Sequence, residues 1–357
     1  MNTVLEQFRA AIETASATHQ PLQLRGGGTK QWYGQQLVGQ VLDTRPYRGV
    51  IAYDPAELVI TARCGTPLAE IEAVLAEKNQ LLPFEPPYFG PHATFGGCVA
   101  AGLSGPRRQA AGAVRDFVLG ASLMDGKGQV LNFGGQVMKN VAGYDVARLL
   151  AGSLGILGLI LEVSIKVMPQ PFAELTLRFE MNAVDAVRKL NEWGGQPLPI
   201  TASAWQDDML AVRLSGASAA IKAARVKLGG ELVDAIHAAK FWQGVREHTD
   251  TFFAEAGPDR ALWRLSLPPI TEPHRLPGKQ LIEWGGAQRW WITDADAQSV
   301  RSAARQAGGH ATLFRYGEAS AGVFTPLAVP LMRIHRNLKA AFDPAGIFNP
   351  GRMYPEL

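Results

Sequence analysis

Cysteine is scarce. The 357-residue chain has two, Cys64 and Cys98. Two thiols cannot complete a four-cysteine zinc site or hold a conventional iron–sulfur cluster, which also takes four ligands. A surplus of one charge is lacking too: 35 Lys and Arg against 32 Asp and Glu leave +3, with no dense basic run. That argues against a nucleic-acid binder driven by phosphate attraction. Long apolar runs are missing. The longest uncharged stretch of that kind is the 13 residues between Arg148 and Glu162, which contain Gly152, Gly155 and Gly158. It is too short and too glycine-rich to span a bilayer. Near the start, Glu6 and Arg9 interrupt what would be the apolar core of a signal peptide. A cytoplasmic, reducing setting is therefore expected. The 7 histidines include no close pair, since the nearest two, His237 and His248, are 11 positions apart. No metal site is expected.

What remains is a chain with 47% hydrophobic and 19% charged residues, which excludes disorder as a global description. Its length suggests about two domains. Residues 4–19 have the apolar spacing of an amphipathic helix, and 22–24 read as a strand. Strands are expected at 49–53 and 57–63, then a helix to about Lys78 with Thr66 as N-cap and Pro67 in the first turn. From Pro83 to Gly112 there is no helical period. Val118–Met124 and Val130–Phe133 flank Asp125-Gly126-Lys127-Gly128 as a hairpin. Residues 144–150 read as a short helix and 159–167 as a strand. Pro169 and Pro171 mark a boundary. Beyond it, strand-like segments (173–180, 201–214, 261–267, 288–293, 310–316) alternate with helices (182–192, 217–228, 231–254, 296–307), which suggests an antiparallel α+β domain. A last helix is expected over 326–342.

The 38 glycines are unevenly spread, and three glycine-rich segments are candidates for chemistry. In Arg25-Gly26-Gly27-Gly28-Thr29-Lys30, a strand runs into three glycines. Such backbone can turn several N–H groups toward one oxyanion, and the flanking cations suit a phosphate or pyrophosphate. An ordinary glycine turn is the alternative. The segment is neither a Walker loop nor a Rossmann fingerprint. Thr94 to Gly105 is a long run of small residues that permits close approach to a flat ligand, or simply tight packing. Gly152 to Val163 leads from spaced glycines into a strand, either as a ligand-facing edge or as a turn before a buried strand.

In this order and at these separations, the three segments resemble the FAD-binding fold shared by vanillyl-alcohol oxidase and p-cresol methylhydroxylase (PCMH), over most of residues 20–170. Two further stretches, Lys139-Asn140-Val141-Ala142-Gly143-Tyr144-Asp145 and the tail Phe342 to Met353, are similar to the D-lactate and glycolate dehydrogenase branch. Gly309 to Arg315 and the short length bring the resemblance nearest to the FAD-binding E subunits of bacterial glycolate dehydrogenases. The resemblance implies an α+β chain: a two-lobed PCMH-type FAD-binding domain, not a Rossmann fold, then a smaller α+β cap domain with an antiparallel sheet. The expected division is 1–170, 171–325, and a helix and tail over 326–357 returning to the FAD domain.

The same resemblance implies the sites. Arg25, Gly26, Gly27, Gly28, Thr29 and Lys30 would cradle the FAD pyrophosphate. Pro86, Thr94, Phe95, Gly96, Gly97, Gly102, Leu103 and Ser104 would line pyrophosphate and flavin. Gly155, Gly158, Glu162 and Val163 would meet the adenine side. Relatives that attach flavin covalently through the first loop carry His where this chain has Thr29, so non-covalent FAD is expected. The implied role is oxidation of glycolate to glyoxylate, with a second FAD-binding catalytic subunit and an iron–sulfur subunit, electrons passing on to quinone. Membrane contact would come only through partners. A mainly structural FAD-fold partner, or a free-standing oxidase of another hydroxy acid or a lactone, are the alternatives. The His-x-Gly-Asp-Gly-Asn-type motif of larger relatives is absent.

A 2-hydroxy acid needs a cation for its carboxylate and a base for its hydroxyl proton. Arg315 and His310 are the candidates. They are five apart on one expected strand, on opposite faces unless a bulge intervenes. Lys139 is a candidate neutraliser of phosphate or reduced-flavin charge. Trp290 and Trp291 are expected to divide between core and interface. Cys64 and Cys98 read as packing thiols, and His335 as part of a solvated helix face.

Overall fold

The first helix, Asn2–Thr18, forms because Phe8, Ile12 and Ala15 fall on one face, and all three are buried. The computed structural model describes residues 2–135, 145–273, 277–317 and 321–357. Lys139 and the rest of its motif up to Tyr144 lie outside them. The chain divides into two units. One comprises Met1–Leu103, Ala113–Pro169 and Pro326–Leu357; the other comprises Ser104–Gly112 and Gln170–Thr325.

In the first unit, β1 (Leu22–Arg25) runs parallel to β2 (Gln40–Asp43). The C-terminal tail covers the other edge of β1: Leu22 N–H donates to Ile347 O at 2.7 Å, and Asn349 N–H donates to Leu22 O at 2.9 Å. A five-stranded antiparallel sheet follows. Its strands are β3 (Val50–Asp54), β4 (Val59–Arg63), β6 (Val118–Met124), β7 (Val130–Gly134) and β8 (Leu159–Lys166), in the order β3-β4-β8-β6-β7. Short strands β5 (Gln80–Leu81) and β9 (Met168–Pro169) pair separately. The β6–β7 hairpin is set by Asp125, whose Oδ1 accepts from the N–H groups of Lys127 and Gln129, each at 2.9 Å. This is an Asx turn that mimics the backbone's own turn.

The second unit is one eight-stranded antiparallel sheet. Its strands are β10 (Ala173–Glu180), β11 (Ile200–Gln206), β12 (Met209–Gly216), β13 (Glu231–Val233), β14 (Ala261–Ser266), β15 (Lys279–Glu283), β16 (Gln288–Thr293) and β17 (His310–Arg315). The order is β13-β10-β12-β11-β15-β16-β14-β17. Two apolar clusters hold helices to it. Leu177, Leu210, Val212 and Leu214 pack with Ala186, Leu190 and Ile221. Trp263, Leu265, Trp291 and Leu313 pack with Val300 and Ala304.

Several local expectations are corrected. Residues 95–101 form a helix, Phe95–Ala101, inside the stretch that showed no period. Gly96 allows close packing there: a Cβ on it would sit 2.5 Å from Cys64 Cβ. Thr94 caps it by accepting from Gly97 N–H, and Gly102 ends it with φ +66°. Thr66 does not cap the next-door helix Leu68–Ala76. Its hydroxyl instead donates to Arg63 O at 2.7 Å and accepts from Gly49 N–H at 2.9 Å. The strand expected over 201–214 is a hairpin, because Asp207 and Asp208 both take positive φ. The long helix expected over 231–254 divides into β13 and the helices Ala235–Glu247 and Thr251–Ala254. Trp290 and Trp291 are both buried, at 4% and 0% exposure, so neither serves an interface.

Candidate functional site

The loop after β1 is built so that only glycine fits. A Cβ on Gly27 would collide with the His92 carbonyl oxygen, and one on Gly26 with Thr94 Oγ1. Gly28 takes φ +72°. The backbone N–H groups of Gly26, Gly27, Gly28 and Thr29 donate to no acceptor among the described residues. Three of the carbonyls around them are engaged. Arg25 O accepts from Thr44 N–H at 2.9 Å, Gly28 O from Gln31 N–H at 3.4 Å, and Thr29 O from Trp32 Nε1 at 3.1 Å. In a trans peptide the N–H and C=O point in opposite directions. Fixing the carbonyls of Arg25 and Gly28 therefore aims the N–H groups of Gly26 and Thr29 the other way. Successive N–H groups left open in this way form a receptor for an anion.

These residues line a cleft of about 620 Å³ in the first unit, with Thr94, Gly97, Asn349 and Arg352 on its walls. A second cleft of about 400 Å³ shares Leu24, Arg25, Gly26, Gly97, Ala100, Leu154 and Asn349 with it, and adds Cys64, Gly96, Gly155 and Gly158. The two adjoin along those shared residues. The groove thus joins the first glycine segment to the third, with the second along its side. Its donors, a bent glycine backbone and the exposed Arg25 guanidinium, match a diphosphate, and its length leaves room on the Gly155–Ile160 side for a flat apolar group.

Of the remaining candidates, Lys30 also lines the first cleft and the others fall elsewhere. Lys30 Nζ donates to Tyr88 O at 3.1 Å, which latches the 82–93 loop onto the glycine loop. Pro86 and Phe95 are buried and line neither cleft, and Gly102, Leu103 and Ser104 line neither. Gly102 packs on Gly152, whose Cα would be 2.7 Å from an added Cβ. Glu162 accepts a hydrogen bond from Tyr47 Oη at 2.6 Å and, like Val163, lies outside both clefts. Burial and that bond push the Tyr47 hydroxyl up to about 12. Cys64 and Cys98 are free and buried, and desolvation pushes both thiols up to about 12.

On β17 a bulge changes the facing. Ser266 opposes His310 and Arg264 opposes Thr312, but Leu262 opposes Arg315 after a register shift. Leu262, Arg264 and Ser266 share a sheet face, so Arg315 and His310 share it too. The expected opposition of the two is removed. His310 is exposed at the start of β17, and partial desolvation and then the nearby Arg264 charge lower its pKa below the ordinary imidazole value. His248, half-buried, is held well below it by desolvation and then by Arg315 and Arg264. Its ring stacks on Phe253 at 3.9 Å.

Sequence reasoning singled out no side chain of the tail as part of the site, yet the tail builds one wall. Asn349 Oδ1 accepts from Leu24 N–H at 2.9 Å, and its Nδ2 donates to Leu154 O at 2.7 Å. Arg352 is 5% exposed. Its guanidinium donates to the carbonyls of Lys30, Gln31, Tyr33 and Gln35, and burial lowers its pKa to about 10. Nothing in the sequence of Phe342–Met353 says which carbonyls its side chains will meet.

Residues 3–134 match the family described as FAD binding domain. The first unit thereby carries the cofactor-binding part of an FAD-dependent oxidoreductase. The chain is 50% identical over 354 residues, 99% of its own length and 97% of the relative's, to "Glycolate oxidase subunit GlcE" of Escherichia coli. It belongs to that family of glycolate oxidase subunits. It is also 30% identical over 178 residues to "Glycolate oxidase subunit GlcD" of Bacillus subtilis, covering 49% of this chain and 38% of that one. A solved alkyldihydroxyacetonephosphate synthase superposes with a TM-score of 0.66 at 14% identity, covering 97% of this chain and 75% of that one. At that identity it speaks to the fold alone. Among the described residues, no helix is long and apolar enough to cross a membrane.

Proposed function

We propose that the chain is the FAD-bearing redox subunit of a complex that oxidises glycolate to glyoxylate, working with a second flavoprotein subunit and an iron–sulfur subunit that passes electrons on to quinone. The observation that carries the reading is the run of open N–H groups from Gly26 to Thr29 along the groove. These groups would hold the FAD diphosphate, with Arg25 beside it. Gly155 and Gly158 would border the adenine half. When bound, FAD supplies a two-electron acceptor. Binding is non-covalent: the residue after the glycines is Thr29, and Cys64, which lines the second cleft, has its thiol pushed up to about 12 and so offers no thiolate. Residues 1–170 with the tail 326–357 would form the FAD domain, and 171–325 the cap.

Arg315 would hold the substrate carboxylate and His310 would accept the hydroxyl proton. The lowered His310 pKa keeps that ring neutral and able to accept. Two measurements test the reading. Arg25→Glu reverses an exposed charge beside the loop without touching the core, and should weaken FAD binding on the order of 100-fold. Unchanged affinity refutes the diphosphate assignment. Anaerobic glycolate should bleach the flavin of the chain assembled with its companion subunits, and Arg315→Met should abolish any bleaching by the chain alone. Bleaching that survives Arg315→Met removes Arg315 from the substrate site.

A further inference from the structure

The four carbonyls that Arg352 gathers belong to the segment that leaves the glycine loop. Lys30 O and Gln31 O accept from Nη2 at 3.4 and 2.7 Å, and Tyr33 O and Gln35 O accept from the same guanidinium. In return, Gln35 N–H donates to Arg352 O at 2.8 Å. A guanidinium is a planar fork with five N–H donors, and it can hold several carbonyls in one fixed arrangement where an ammonium cannot. Gln31 carries the next link. Its carbonyl faces Arg352, and its N–H holds Gly28 O at 3.4 Å. That carbonyl belongs to the peptide whose N–H is Thr29's. A chain of peptide orientations therefore runs from the Arg352 side chain to the open N–H groups.

Asn349 secures the other end of the loop. It ties Leu24 N–H, one residue before Arg25, to Leu154 O across the groove. Asn349 sits at φ +40°, a conformation that Asn tolerates better than most residues. The tail is itself pinned beneath. Lys339 Nζ donates to Phe348 O at 2.7 Å and to Asp343 Oδ2 at 2.6 Å, and Asp343 accepts from the N–H groups of Ile347 and Phe348 at 3.1 and 2.8 Å.

We infer that the C-terminal tail, through Arg352 and Asn349, is the positioning element of the anion-binding loop, so that affinity for the diphosphate of the cofactor is set by residues more than 300 positions downstream of that loop. Arg352 is a positioning residue: it acts through the backbone of residues 28–31. The inference rests on the FAD reading above and names what regulates that site.

The test compares wild type, Arg352→Lys, Arg352→Met and Asn349→Asp by titration of the apoprotein with FAD, ADP and adenosine. Arg352→Lys keeps the charge and loses the fork. It should bind FAD and ADP about tenfold more weakly, and Arg352→Met more weakly still. Asn349→Asp keeps the acceptor for Leu24 N–H, loses the donor to Leu154 O and adds a negative charge to the groove, so it should also lose FAD affinity. Adenosine, which has no phosphate, should bind all four about equally. That selectivity separates positioning from damage to the fold, which would lower all three affinities together. Should Arg352→Met fail to fold, Arg352→Lys decides. Wild-type FAD and ADP affinities in both Arg352 variants, or parallel loss of adenosine, overturn this inference alone. A wild-type chain that binds no FAD overturns the reading of the site and this inference with it.

Discussion

Replacing Lys339 with Met should destabilise the first unit severely. The lysine is 7% exposed, and Asp343 is 1% exposed. All three ammonium protons have acceptors: Asp343 Oδ2 at 2.6 Å, Phe348 O at 2.7 Å and Ile156 O at 2.8 Å. Methionine matches the stem in length and fills its space, so the loss is electrostatic. It leaves a buried carboxylate without its counter-charge and two carbonyls without donors. Removing one partner of a buried ion pair costs about 3–5 kcal/mol. With a urea dependence of about 2 kcal/mol per M, the midpoint should fall by about 2 M. Adding Asp343→Asn removes the stranded charge and should recover part of the loss, although its single oxygen can accept from only one of the Ile347 and Phe348 N–H groups that Oδ1 and Oδ2 now serve separately. Hydrogen exchange of first-unit peptides through the urea series is the suitable assay, because a chain of two units need not unfold in one step. A Lys339→Met midpoint within about 0.5 M of wild type would refute the reasoning, since at that slope the pair would contribute no more than about 1 kcal/mol.

Other outcomes follow from the same geometry. Neither Cys64 nor Cys98 should react with iodoacetamide in the native chain at mildly alkaline pH, and both should react in denaturant, because burial pushes each thiol up to about 12. Mass spectrometry of the alkylated chain reads this directly, and a modified native Cys64 would contradict its placement. The second unit should lose stability as pH falls below about 6.5. His248 has a folded pKa well below its ordinary 6.5, so the unfolded chain takes up the proton first, and stability present above that value is lost on acidification. The slope is about 1.4 kcal/mol per pH unit for one proton. His310 contributes with the same sign. Asn at position 248, which tolerates the φ of +54°, should flatten the profile in a urea series across pH.

Much of the architecture could be read from the sequence where one local rule dominated. The amphipathic helix at the start, the Asp125–Gly128 hairpin and the strand Leu159–Lys166 each carry a period or turn chemistry of their own. The reading failed where a distant partner decided the matter. Phe95–Ala101 is a helix of poor intrinsic propensity, held because Gly96 lets it lie against Cys64. Thr66 looked like a cap, but its hydroxyl was taken by Gly49 and Arg63. β2 and β15 were passed over altogether. The first glycine loop was legible as an anion receptor because glycines and flanking charge are local signals. Lys30 shows the limit: it lines the groove, but that its ammonium also donates to Tyr88 O depends on a loop 58 positions away. Arg352 and Asn349 were invisible as site residues, because their role rests on carbonyls some 320 positions away or on the far side of a groove. That His310 and Arg315 share a sheet face turns on one bulge that no spacing rule foretells.

The central claim is that the N–H groups of Gly26, Gly27, Gly28 and Thr29 receive the FAD diphosphate. Amide hydrogen exchange of peptides spanning residues 24–31, with and without FAD, tests it most directly. These amides have no acceptor within the described protein, so they should exchange rapidly in the apoprotein and slow markedly when FAD is bound. Slowing confined to other segments, or exchange at 26–29 that FAD leaves unchanged while the chain demonstrably binds it, would contradict the account.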